Sequence, residues 1–262
     1  MSRIHPTALI DPKAELADDV EVGAFTIIGA DVQIDRATQI GAHVVLAGCM
    51  RVGQANKVAP FCSLGGPPQD KKYQGEPTRL EIGDRNVIRE YCYFNTGTAQ
   101  DVGVTRIRND NWIMGYVHIA HDCQIGSNTI IANGVQLAGH VHLGDWAILG
   151  GLTGVHQFVK IGAHAMTGAH TYLSQDLPPY VTCSGHPAAA HGINSEGLRR
   201  RGYSEDALAA LRQAYKVLYR SGLSLSDAQQ ALARLRDEDT GQGAHLDILV
   251  QFLASTSRGI VR

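Results

Sequence analysis

The sequence predicts a parallel β-helix followed by a small α-helical domain, and three observations lead there. An aliphatic side chain recurs at every sixth position through most of residues 1–193. Glycine is plentiful at 29 residues, whereas aromatic residues make up only 6% of the chain. From residue 194 onward the six-residue period gives way to the three- and four-residue spacing of helices.

The repeat opens at Ile4 and continues without a miss through Ile10, Leu16, Val22, Ile28, Ile34, Ile40, Leu46, Val52, Val58 and Leu64. Neither a helix nor an ordinary strand has a period of six. Hexads describe short strands wound around a triangular prism. Three hexads close a turn, so residues 18 apart stack on neighbouring coils about 4.8 Å apart. The first hexad position points inward as the large core residue. The fifth points inward near a corner, where small or β-branched groups such as Ala8, Ala14, Val20 and Thr26 stand. The other positions face outward. Cys62, Cys92 and Cys123 all fall in the fifth slot and therefore read as core filler, not ligands or nucleophiles.

The pattern pauses near 65–81, resumes at Ile82, Ile88 and Phe94, and pauses again near 99–106. Both pauses read as loops thrown out from the prism, where binding residues concentrate. From Ile107 the repeat runs to Leu173, with Thr167 its one non-aliphatic member. Pro178, Pro179 and the Gly185-His186-Pro187 turn end it, placing the prism in 1–193 and a helical domain in 194–262. There Ser204 reads as an N-cap followed by the acidic Glu205 and Asp206. Gly222 reads as that helix's stop, with further helices at 224–235 and 246–257.

At 262 residues, 44% hydrophobic and 18% charged, the chain has a globular composition. A formal charge of −2 makes no electrostatic case for nucleic acid. The densest basic spot is Arg199-Arg200-Arg201, which suits either a solvated helix end or an anionic partner. Five cysteines without CxxC pairing argue against a disulfide scaffold or zinc ribbon. With no apolar run near 18 residues and no signal pattern, the expectation is a reduced, cytoplasmic protein without stable membrane insertion.

The chemistry is expected at Val117-His118-Ile119-Ala120-His121-Asp122-Cys123. The 18-residue rule stacks His121 on Gly139 and Asp122 on His140, and it sets His118 outward near the same corner. His142, His156 and Gln157 follow on nearby coils. Such a grouping suits acyl transfer to a hydroxyl, with a neutral imidazole as base. The carboxylate would hold the imidazole's tautomer, and the Gly139 amide would donate to the oxyanion. With less weight, the spacing also admits a zinc site made of outward histidines supplied by one chain or two, or histidines that merely line a subunit contact.

Longer motifs then decide between these. Gln69-Asp70-Lys71-Lys72-Tyr73, Gly75-Glu76-Pro77-Thr78, Ala138-Gly139-His140 and Gly154-Val155-His156-Gln157 accompany the histidine stretch. Gln175-Asp176-Leu177-Pro178-Pro179-Tyr180, Gly192-Ile193-Asn194-Ser195-Glu196-Gly197-Leu198 and Ser257-Arg258-Gly259-Ile260 follow. Over essentially its whole length the chain resembles the UDP-N-acetylglucosamine acyltransferases that begin lipid A biosynthesis in Gram-negative bacteria.

That resemblance implies a homotrimer of left-handed β-helices with active sites between neighbours. It implies transfer of a 3-hydroxyacyl chain from acyl carrier protein to the 3-hydroxyl of UDP-N-acetylglucosamine. His121 would be the general base, with Asp122, His140 and Gly139 around the reacting centre. Gln69, Asp70, Lys72, His118, His156 and Gln157 would contact the sugar nucleotide or acyl donor. Asn194, Glu196 and Arg200 would hold the nucleotide end. No metal and no cofactor is implied beyond the donor's phosphopantetheine arm.

Two departures from the family pattern stand out. Asn95 occupies a place where members often carry histidine, and an amide excludes proton transfer there. Ala169, after Gly168, stands where the family sets acyl-chain depth, and its methyl group is expected to select a shorter or less strictly defined chain than glycine would. A related N-acyltransferase carries an extra N-terminal uridine-binding domain, whereas these hexads begin at Ile4.

Overall fold

The computed structural model describes residues 3–239 and 241–262. Short strands, most of them two residues long, wind into a left-handed prism with three parallel faces. The first face holds eleven strands from Arg3–Ile4 to Ala189–Ile193, the last one antiparallel. The second holds nine, from Leu9–Ile10 to Tyr172–Leu173, and the third eight, from Glu15–Leu16 to Lys160–Ile161. The register follows the 18-residue rule, with Ile119 opposite Leu137 and Ile125 opposite Leu143.

Inside, the aliphatic column is closed to solvent: Leu64, Ile119, Leu137 and Leu149 are fully buried. Thr167 sits in the same column without an orphaned hydroxyl, accepting from Gly150 N at 2.9 Å and lying 3.0 Å from Thr153 Oγ1. Cys62, Cys92 and Cys123 are buried in the fifth slot, their thiols donating to the carbonyls of Arg89, Met114 and Ala138. Burial pushes the Cys123 thiol up to about 12, so it stays neutral and unreactive. A polar ladder runs through other fifth slots: Asn56 Oδ1 accepts from Asn86, and Asn86 Oδ1 accepts from Asn111 N.

The edges of the prism need left-handed backbone at most corners, with φ near +60° at Phe25, Asp122, His140 and Phe158 among others. Each such non-glycine residue costs roughly 1–2 kcal/mol. Backbone bonds between coils, such as His140 N to His121 O at 3.0 Å, help offset it. Equivalent corners stack, so each edge acquires its own chemistry. From the first face to the second runs an aromatic edge, where Phe25, His43, Phe61, Tyr91 and Tyr116 stack at 4.8–5.1 Å. From the second to the third runs a histidine edge carrying His121, His140 and Phe158. From the third back to the first, Trp146, His164 and Tyr180 stack where the helical tail docks.

The two excursions lie at 67–78 and 96–103, both on the histidine edge. The second begins and ends a few residues before 99–106, because Val104–Ile107 already pairs with Arg79–Ile82. The tail comprises α1 (Ser195–Arg200), α2 (Glu205–Arg220), α3 (Leu225–Glu238) and α4 (Gly243–Ser255). Ser204 caps α2 as its sequence indicates, and Gly222 follows the helix end at φ +68°. Leu208, Leu211, Leu232, Leu249 and Leu253 form a second core around Tyr180.

His164 ties tail to prism. Its backbone carbonyl accepts from Asn194 Nδ2, Arg201 Nη1 lies 3.2 Å from Nδ1, and Tyr203 OH lies 3.1 Å from Nε2. Because arginine only donates, Nδ1 holds the lone pair and Nε2 the proton. Burial, reinforced by the Arg201 charge, pushes this imidazole down to about 4. A depressed histidine stabilises the fold in full above the unfolded value near 6.5. As pH falls from 6.5 toward 4 the unfolded chain takes up the proton first, and stability is lost. We expect the unfolding free energy of wild type to drop by on the order of 2 kcal/mol more than that of His164→Gln across this window. Urea midpoints at pH 7 and pH 4.5 measure it; parallel losses in both proteins would refute the assignment.

Candidate active site

The chain leaves the second face at His118–Ile119, turns at Ala120-His121-Asp122-Cys123 and enters the third at Gln124–Ile125. Cys123 fills the inward slot, so His121 is left on the outside of the turn. His121 Nδ1 lies 2.9 Å from Asp122 Oδ2. A carboxylate only accepts, so Nδ1 carries the proton and Nε2 the lone pair. The ring lies directly over Gly139: a Cβ there would come within 2.4 Å of His121 Cε1 and 2.7 Å of Nε2. Among the described residues the Gly139 N–H has no acceptor.

Asp122 differs from the outward placement that the hexad pattern assigns it. Its carboxylate is buried, because the 96–103 excursion folds over the corner. Thr98 N donates to it at 3.0 Å and Thr98 Oγ1 at 2.6 Å, while Asp122 N donates to Thr105 Oγ1 at 2.8 Å. Burial alone would raise this carboxyl, but the bonds from His121 and Thr98, with His140 nearby, outweigh it and hold it below its ordinary value. His121 is thus backed by a carboxylate held in its ionised form by these bonds.

His140 stands edge-on to His121, with ring centroids 4.9 Å apart and planes at 88°. It stacks on Phe158 at 4.2 Å, one coil further on. Its Nδ1 lies 2.6 Å from Asp101 Oδ2 and 3.9 Å from Asp122 Oδ2. His118 Nε2 lies 3.0 Å from Asn95 Oδ1. Asn95 spends its amide hydrogens on Pro67 O and Tyr93 OH, so His118 must donate through Nε2 and keep its lone pair on Nδ1. Burial, with the neighbouring His121, holds His118 below its ordinary value, so it is neutral near pH 7.

The remaining sequence-derived positions fall in three places. Gln69, Asp70 and Lys72 lie in the 67–78 excursion on the histidine edge, Asp70 Oδ1 accepting from Lys72 N at 2.9 Å. His156 and Gln157 lie two coils beyond His121 on that same edge. Gly168 and Ala169 sit instead on the aromatic edge, between Met166–Thr167 and Tyr172–Leu173. Asn194, Glu196 and Arg200 lie where the tail docks; Asn194 caps α1, and Arg200 pairs with Glu196 at 3.1 Å. One chain therefore brings together His121, Asp122, His118 and His140, but not the tail residues.

Among the described residues the group with metal-ligand geometry is His121, Asp122 and His140, with ligand atoms within 4.8 Å; His118, His142 and His156 stand outside it. Thr98, Thr105 and Asp101 escape sequence reasoning altogether. They meet the site at separations of 24, 17 and 39 residues, and only the second is close to a coil.

An imidazole backed by a buried, ionised carboxylate, beside an open backbone amide, can deprotonate a hydroxyl and stabilise the resulting oxyanion. Comparison with known proteins points the same way. Residues 176–261 match the family model described as UDP-N-acetylglucosamine O-acyltransferase, domain 2, and residues 105–139 match the bacterial transferase hexapeptide model. An acyl-[acyl-carrier-protein]–UDP-N-acetylglucosamine O-acyltransferase from Thiobacillus denitrificans is 58% identical over the full length of both chains. One from Janthinobacterium is 56% identical over the same extent. The crystal structure of UDP-N-acetylglucosamine O-acyltransferase from Moraxella catarrhalis superposes with a TM-score of 0.96 at 43% identity, covering 99% of this chain and all of the other.

Gly139→Ala isolates the geometry of this site. The added methyl meets the His121 ring first, which must swing off its place. We expect a thermal midpoint within a few degrees of wild type and an acyltransferase rate reduced at least about 100-fold, the cost of misplacing a catalytic group by roughly 1 Å. A fully active Gly139→Ala protein would show that the ring position is not what matters.

Proposed function

The chain belongs to the acyl-[acyl-carrier-protein]–UDP-N-acetylglucosamine O-acyltransferases, and on that premise we propose that His121 is the general base of the reaction. The enzyme transfers an acyl group from acyl carrier protein to UDP-N-acetylglucosamine in lipid A biosynthesis. His121 Nε2 takes the proton of the sugar's 3-hydroxyl as its oxygen attacks the thioester carbonyl of the 3-hydroxyacyl donor. The Gly139 N–H donates to the oxyanion. As the tetrahedral intermediate collapses, the C–S bond breaks, and the imidazolium returns its proton to the phosphopantetheine thiolate. The products are the sugar ester and the free thiol; no acyl-enzyme forms. The carrying observation is the 2.9 Å bond from His121 to buried Asp122, which keeps the lone pair on Nε2 and supports the imidazolium.

Around this centre His118, His156, Gln157, Gln69, Asp70 and Lys72 are assigned to the sugar nucleotide and donor, because all share one edge. Asn194, Glu196 and Arg200 are assigned to the nucleotide end of a substrate bound at a neighbouring copy in a homotrimer. Gly168 and Ala169 are assigned to the far end of the acyl groove. The reaction as drawn needs no metal and no resident cofactor. No helix among the described residues is long and apolar enough to cross a membrane, and we place the enzyme in the cytoplasm with its soluble carrier.

Acyl transfer from carrier proteins bearing 3-hydroxyacyl chains of several lengths tests these assignments. His121→Ala should lose a factor of about 100 to 10,000 in rate at every length. A chelator should leave wild type unchanged; inhibition by it would move the reading to metal chemistry. Ala169→Gly should shift the preferred donor to a longer chain with little change in maximal rate. An unaltered preference would remove Ala169 from the ruler.

A further inference from the structure

We propose that Asp101 is a positioning residue for this reaction: it fixes the proton of His140 on Nδ1 and thereby presents Nε2 to the acceptor sugar as a hydrogen-bond acceptor. The inference rests on the placement of the active site around His121.

Asp101 belongs to the 96–103 excursion, not to any coil, and it reaches His140 across 39 residues at 2.6 Å. A carboxylate accepts and never donates, so the shared proton sits on Nδ1. Asp122 Oδ2, 3.9 Å away, faces that same nitrogen, so a lone pair there would meet two carboxylates. The opposite tautomer is therefore disfavoured twice. The rest of the ring is clamped, with Phe158 against one face and His121 at its edge. Only the direction of its polar groups remains to be set, and Asp101 sets it.

The consequence is chemical. With the proton held on Nδ1, the ring's other nitrogen, Nε2, is the one left to carry a lone pair toward the acceptor, beside His121. A sugar nucleotide has donors to match it, in its hydroxyls and its acetamido N–H. The reversed tautomer would offer a second donor, which the acetamido N–H cannot satisfy. The same excursion supplies Thr98 to Asp122, so one loop orients both imidazoles: His121 through Thr98 and Asp122, His140 through Asp101.

The test combines spectroscopy with kinetics on the intact enzyme. In protein labelled with 15N-histidine, His140, identified by its loss in His140→Gln, should show the Nδ1–H pattern. A wild-type His140 protonated on Nε2 would overturn the proposal before any variant is made. Asp101→Ala should mix the tautomers and lower kcat/KM for UDP-N-acetylglucosamine about tenfold, the worth of one charge-assisted hydrogen bond. KM for the acyl carrier protein should stay within about twofold. Asp101→Asn, whose Oδ1 still accepts, should restore the tautomer and most of the rate. Unchanged tautomer or unchanged kcat/KM in Asp101→Ala would refute the role. A His121→Ala control separates the two readings. If it is inactive while Asp101→Ala matches wild type, only Asp101's role fails; if it is fully active, the site assignment itself fails.

Discussion

Everything in this protein depends on coils that stack in register, the strand backbone of each bonded to its counterpart one turn away. The constraint is severe because it leaves no slack. Ile119 faces Leu137 and His118 faces Gln136, and a slip of one residue would turn every core side chain outward. Once the register holds, a corner position repeats up the edge, and the side chains placed there form columns. The histidine edge is such a column. Asp122, His140 and Phe158 are successive occupants of one left-handed corner, and their contacts follow from that repetition.

A column alone would make a poor active site, since an open edge leaves its charges in water. The two excursions change this because both leave the prism at the histidine edge, one and two coils before His121. The 96–103 segment converts Asp122 from an outward corner residue into a buried carboxylate. Burial works against its charge, yet hydrogen bonds from Thr98 and His121 more than compensate. The scaffold supplies precision and the excursion supplies the low-dielectric surroundings in which a charge behind an imidazole matters.

This division explains what was legible in the sequence. Whatever the register dictates could be read: the strands, the inward cysteines, and the stacking of His121 on Gly139. Helix α2 was legible from its Ser204 cap and its spacing, and α3 and α4 from their spacing, whereas α1 was not singled out. Contacts made by the excursions were not, since a loop's path obeys no period. Asp101 carries no mark in the sequence that ties it to His140, and Thr98 none that ties it to Asp122. Asn95 was partly legible: its amide excludes proton transfer, but only the structure reveals that both its hydrogens are taken and that it dictates the tautomer of His118. Family resemblance named Asn194 and Arg200 but not the edge on which they lie.

That last point bears on assembly. The histidine edge and the tail edge bound the third face on opposite sides, so a hexad of chain, up to about 20 Å of extended backbone, separates them. The tail residues also stand several coils further along the axis, since Asn194 bonds to the coil of His164. A sugar nucleotide whose 3-hydroxyl touches His121 would have to cross that whole face to reach Arg200 of the same chain. If a second copy sets its tail edge against the histidine edge of the first, the crossing of the face is removed and only the axial offset remains, without moving any side chain of either. A closed ring of such heterologous contacts uses both edges of every copy, and three prisms suffice to close it. We therefore regard the separation of the tail residues from His121 within one chain as an argument for the homotrimer rather than against their role.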